Sequence, residues 1–197
     1  MSGVKDLVHE MDIEMSRKSF KYFFTDILDF EYSDHHKKWE KGLNENRYYC
    51  VKASRDHGKS VFFMSYALWI ATFQPGTSIM VFSHSLEQTL EHMRFIRNNI
   101  ESTDILKELR PSGKPWAKSY FEFTNGSRII AKSVGGATRG FHPDVVVCDD
   151  ILWGTTATEL QRAADWFYTV LLPVLHHTGR LMMVGTPFSY TDLYAEL

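Results

Sequence analysis

The segment Ala53-Ser54-Arg55-Asp56-His57-Gly58-Lys59-Ser60 constrains this chain more than any other, because it directly follows the apolar, strand-like run Tyr48-Tyr49-Cys50-Val51. It has the spacing of the phosphate-binding loop G-x-x-x-x-G-K-[ST], with Ala53 where the first glycine usually stands. Such a chain must end a strand, turn tightly around an anion and start a helix whose backbone N–H groups point at that anion. Gly58 permits close approach of backbone to phosphate, Lys59 supplies a point charge, and the Ser60 hydroxyl is suited to Mg²⁺. Ala53 is compatible with this turn where its φ is negative. The apolar stretch from Val61 to Ile70 then reads as the helix. Strand, loop and helix in register predict a nucleoside triphosphate site built from Ser54, Arg55, Asp56, His57, Gly58, Lys59, Ser60 and Val61.

The remaining elements place that loop in a sheet. Apolar residues at helical spacing (Leu7, Met11 and Met15, then Phe20, Phe23, Phe24, Ile27 and Leu28) predict one or two amphipathic helices over residues 4–30. Buried strands are expected at 48–53, 78–83, 144–149 and 180–185, and helices at 60–72, 86–100 and 158–174. Asn125-Gly126, flanked by two apolar runs, is a strong hairpin signal. Strands alternating with helices predict an α/β fold with a mainly parallel sheet flanked by helices and an inserted antiparallel β-hairpin. Ligands of such sheets sit outside the carboxyl ends of the strands, where the phosphate loop already lies.

Composition removes several classes. With 197 residues, 44% hydrophobic and 23% charged, the chain is expected to form one globular domain. No apolar run reaches the length of a membrane span, and the N-terminus lacks the apolar core of a signal peptide. Cys50 and Cys148 stand inside strand-like runs and read as buried, reduced thiols. A net charge of −2 argues against an obligate basic nucleic-acid module. Two local basic clusters, Lys37-Lys38-Lys41 and Lys114-Lys118-Arg128-Lys132, read first as solvated surface charge.

The other informative run is Val145-Val146-Val147-Cys148-Asp149-Asp150. A buried strand that ends in two carboxylates needs a cation or water there. The phosphate loop predicts that cation: Asp149 holds Mg²⁺ and Asp150 orients the attacking water, so hydrolysis is expected as well as binding. Asp150 is one methylene shorter than the glutamate common at this place, which puts its reach in question. Gly185-Thr186-Pro187 ends the next strand, where a hydroxyl can sense the γ-phosphate.

In order and spacing, the loop with its early arginine, the Asp149-Asp150 strand end, Arg139-Gly140 before it and Gly185-Thr186-Pro187 after it resemble the large terminase subunit of tailed bacteriophages, over roughly residues 30–190. The resemblance implies a P-loop NTPase of the RecA-like (ASCE) type that hydrolyses Mg²⁺-ATP to drive double-stranded DNA into a preformed capsid. It implies a homo-oligomeric ring when assembled, a monomer in isolation, contacts with a portal protein and a small terminase subunit, and work in the host cytoplasm. Carried over by residue, Lys59 and Asp150 are catalytic, Ser60 and Asp149 hold the metal, Arg55 acts on the γ-phosphate in cis, and Arg139 matches an arginine presented to a neighbour's ATP. Gly185, Thr186 and Pro187 match the motif that couples hydrolysis to movement, and His36 matches the adenine-reading position in an N-terminal segment, 1–45, ahead of the 46–190 core. The C-terminal nuclease that the resemblance implies is not expected in this chain, nor is nuclease activity. Other readings remain open: a helicase-like motor, a small-molecule kinase, or a nucleotide-gated DNA-binding module with little turnover.

Overall fold

The computed structural model describes residues 2–112, 116–136, 138, 140–152, 156–186 and 192–197. Its centre is a six-stranded sheet of β1 (Tyr48–Lys52), β2 (Ser78–Ser83), β3 (Tyr120–Glu122), β4 (Arg128–Ser133), β5 (Val145–Asp149) and β6 (Arg180–Gly185), in the order β1-β6-β5-β2-β4-β3. Every pairing is parallel except β3 with β4. The phosphate-loop strand therefore lies beside β6, and β6 beside β5, which is the RecA-like arrangement. The expected hairpin forms, but its second strand β4 joins β2 in parallel register, Ser78 opposite Arg128 through Ser83 opposite Ser133. It extends the edge of the sheet.

Side-chain alternation divides the core. Val145 and Val147 of β5, with Ile79 and Val81 of β2, face one apolar layer; Val146, Cys148, Met80 and Phe82 face the other. The first layer packs under α4 (Lys59–Phe73) and α5 (Leu86–Ser102), the second under the continuous helical stretch of α7 (Ala157–Trp166), a π-turn over Phe167–Leu171 and α8 (Leu172–Val174). The short helices α6 (Asp104–Lys107) and α9 (Leu193–Glu196) complete the set.

Helix α4 is apolar on every side, and a helix of that kind must be covered on every side. Ten of its residues are buried. The sheet covers one face, and the N-terminal segment covers the other: Phe20 meets Phe62, Tyr66 and Trp69 edge-on, and Trp69 Nε1 donates to Ser16 O at 2.7 Å. This segment comprises α1 (Ser2–Lys18), α2 (Phe20–Tyr22) running into a π-turn over Phe23–Ile27, and α3 (Asp34–Glu45). Phe20, Phe23, Phe24 and Leu28 are buried as expected, whereas Leu7, Met11 and Met15 of α1 stand exposed together with Val8. No helix among the described residues is long and apolar enough to cross a membrane. Both cysteines are free thiols, and burial pushes each thiol upward, Cys50 to about 11.

Candidate nucleotide site

The carboxyl ends of β1, β6, β5 and β2 surround a cavity of about 810 Å³, lined by Arg55, Asp56, Gly58, Lys59, Ser60, Val61, His84, Gln88, Asp150, Leu152 and Thr186. The loop is bent by two left-handed residues, Asp56 (φ 64°) and Gly58 (φ 67°). Glycine adopts this region freely and aspartate more readily than most residues. Local contacts hold the loop: Ser54 Oγ and the Arg55 carbonyl lie 3.1 and 2.9 Å from His57 Nδ1. From α3, the His35 Nε2–H donates to the His57 carbonyl at 3.2 Å.

Three predicted residues converge. Lys59, buried at the start of α4, donates from Nζ to Thr186 Oγ1 at 3.1 Å and lies 3.6 Å from Asp150 Oδ2. The Thr186 N–H donates to Asp150 Oδ1 at 2.9 Å, and its hydroxyl lies 3.3 Å from Ala53 O. Asp150 is held at φ 47°, a strained conformation for a non-glycine residue, with its N–H bonded to Val184 O at 2.9 Å. The shorter side chain reaches the cavity from there. Arg55 is exposed on the rim, and its guanidinium meets no carboxylate among the described residues. Arg139 and Pro187 lie outside the described residues.

Asp149 is placed differently. It shares its sheet face with Val145 and Val147, is wholly buried, and does not line the cavity. His92 Nε2 of α5 comes within 2.8 Å of its Oδ2. That approach is short enough for an ion pair but off the line of a hydrogen bond, so both Asp149 oxygens remain without a hydrogen-bond partner. An orphaned carboxylate behind the loop, with the Ser60 hydroxyl on the wall in front, is a donor set that suits Mg²⁺, which takes one or two protein oxygens and completes its shell with phosphate and water. The described residues include no cluster of three or more His, Cys, Asp or Glu able to cage a metal.

His36 does not line the cavity. It is 6% exposed, stacked on Phe62 with ring centroids 5.0 Å apart, and its Nδ1 accepts the Ser33 N–H at 3.1 Å. That bond puts the ring proton on Nε2, which lies beneath the loop, 3.6 Å from where a Cβ on Gly58 would stand. Burial, reinforced by the neighbouring His35, lowers its pKa to about 4. The ring thus lies beneath the loop, with Nε2 buried and without a hydrogen-bond partner.

Several residues of the site were missed by sequence reasoning. His84 and Gln88 line the wall, and the buried Gln88 Oε1 has no partner. The rule that ligands meet strand ends points to His84, and helical spacing joins Gln88 to His92. Tyr194, fully buried, accepts the Ile151 N–H at 3.0 Å and lies 3.4 Å from Val184 O, bracing the segments that carry Asp150 and Thr186; no local pattern announces it. The second basic cluster is partly committed internally: Arg128 donates to Ser78 Oγ at 2.9 Å and Lys132 lies over the Phe141 ring.

No protein-family model matches the chain. Over 167 residues it is 30% identical to the large terminase subunit of Enterobacteria phage T3, covering 78% of this chain and 28% of that protein. Thus the chain spans little more than a quarter of the length of this relative. Among solved structures, the ATPase domain of the large terminase of Thermus phage P74-26 superimposes with a TM-score of 0.67 at 15% identity, covering 90% of this chain and 72% of that one. The large terminase of bacteriophage HK97 gives 0.65 at 15% identity, covering 84% and 36%. The sequence likeness bears out the family resemblance carried by the motifs, and the structural likenesses bear out the fold.

Proposed function

We propose that this chain is the ATP-hydrolysing motor region of a phage large terminase subunit, working in the infected host's cytoplasm to drive double-stranded DNA into a procapsid. One observation carries the reading: Lys59 of the phosphate loop, Asp150 directly after β5 and Thr186 directly after β6 meet within a single open cavity. In this reading the loop N–H groups and Lys59 bind the triphosphate, and Arg55 closes on it from the rim. Ser60 and Asp149 would hold Mg²⁺, which would neutralise charge on the triphosphate. Asp150 accepts a hydrogen bond from the attacking water and aligns it with the γ-phosphorus. Thr186, bonded to both Lys59 and Asp150, registers the loss of the γ-phosphate and passes it along β6. Arg139 from a neighbouring subunit completes the site in a ring docked on a portal protein and served by a small terminase subunit.

The test is Mg²⁺-dependent release of phosphate from ATP, with and without double-stranded DNA. Wild-type protein should turn over and Lys59→Ala should not. Equal turnover in both would overturn the reading.

A further inference from the structure

A carboxylate that is wholly buried without a hydrogen bond is destabilising unless an opposite charge or a metal compensates it. Asp149 is in that position, and the partner the fold brings to it is His92, from the second turn of α5. Only 11% of the histidine side chain is exposed. Its helix is fixed in the turn before it: Ser85 caps the N-terminus by accepting the Gln88 N–H at 3.2 Å, and Thr89 Oγ1 donates to Lys132 O at 3.0 Å, tying α5 to β4. Gln88, one turn before His92, reaches the cavity wall. One face of α5 thus runs from the cavity to the back of the metal-side carboxylate.

We propose that His92 is a positioning residue for the metal: it holds Oδ2 of Asp149, so that Oδ1 is the oxygen left for the hydrated ion. This rests on the reading of Asp149 as a metal ligand. Groups that orient a ligating carboxylate from behind govern metal affinity and leave the nucleotide's own contacts intact. A histidine that merely fills space would affect folding and leave the metal response unchanged.

The experiment is a Mg²⁺ titration of the binding of a fluorescent ATP analogue, with a chelator-treated reference, in wild type, Lys59→Ala, Asp149→Asn, His92→Leu, His92→Gln and His92→Asn. Metal-free nucleotide affinity should be the same in wild type and the His92 variants. His92→Leu should need about tenfold more Mg²⁺ to reach half of the wild-type gain. His92→Gln, whose amide nitrogen can stand where Nε2 stood, should restore most of the response, and the shorter His92→Asn should not. A wild-type Mg²⁺ response in His92→Leu overturns the proposal, as does an equal shift in Leu and Gln variants. If the Leu variant fails to fold, the contrast between Gln and Asn decides in the same way. Nucleotide binding that is insensitive to both Mg²⁺ and Lys59→Ala would remove the underlying reading and this proposal together; intact Mg²⁺-nucleotide binding with no His92 effect removes this proposal alone.

Discussion

Lys59 Nζ and Asp150 Oδ2 stand 3.6 Å apart, so the lysine of the loop lies beside the carboxylate that follows β5. Because Asp150 also accepts the Thr186 N–H, its position is set before any nucleotide arrives. Asparagine has the same shape and keeps one acceptor, but it cannot act as a base or offer a full charge to Lys59. Asp150→Asn should therefore retain Mg²⁺-nucleotide binding and lower kcat by roughly 10²–10³-fold, in the range of a lost acid–base group. Paired binding and turnover assays check this, and unchanged kcat would remove Asp150 from the role.

Thr186 makes a finer test. Its N–H serves Asp150, while its hydroxyl accepts from Lys59 and donates to Ala53 O, so valine, which keeps the shape and the N–H, removes the hydroxyl contacts and leaves the one to Asp150. One hydrogen bond to a charged group is worth about 1.5–3 kcal/mol, so Thr186→Val should reduce kcat by roughly 10- to 100-fold, and by less than Asp150→Asn does. A Thr186→Val variant as impaired as Asp150→Asn would mean that the hydroxyl acts in the chemistry directly.

The tip of β6 gives a stability prediction. A Cβ on Gly185 would stand 2.1 Å from the Tyr194 ring, and that ring is fully buried and cannot swing aside. Gly185→Ala should lower stability by roughly 1–3 kcal/mol through overpacking. Tyr194→Phe should cost about 1–3 kcal/mol by leaving the buried Ile151 N–H without its acceptor. Denaturant melts of the two variants measure both effects; wild-type midpoints would show that the brace between β5 and β6 is dispensable.

How much of this was readable in the sequence depends on whether the signal is local. Strand, loop and helix around Lys59 share one stretch of chain, so the phosphate loop was legible residue by residue, and so were Asp149 and Asp150 as a strand end. The all-round apolar α4 announced burial, though it did not say that Phe20 and Trp69 would meet over it. Leu7, Met11 and Met15 had helical spacing and formed a helix, but periodicity cannot tell which face meets the core, and theirs faces outward. The His92–Asp149 contact joins α5 to β5 across 57 positions, and spacing along the chain carries no trace of it. The placement of the His36 ring was illegible for the same reason: the motif gave its place in the chain, and stacking on Phe62 of α4 decided where the ring lies.

His36 also makes the fold sensitive to acid. Its folded pKa of about 4 lies below the ordinary 6.5, so between those values the unfolded chain binds more protons than the folded one. Stability is then fully present above pH 6.5 and falls as pH drops through the window towards 4. In His36→Phe the ring can still stack on Phe62 and nothing titrates, although the acceptor for the Ser33 N–H is lost. The variant should be less stable than wild type at pH 7.5, and the gap should narrow as pH falls from 6.5 to 4.5, since every other histidine contributes equally to both proteins. Thermal melts of the pair across that range test it. Parallel curves would show that His36 takes up its proton equally in the folded and unfolded states, so that burial does not disfavour its charged form.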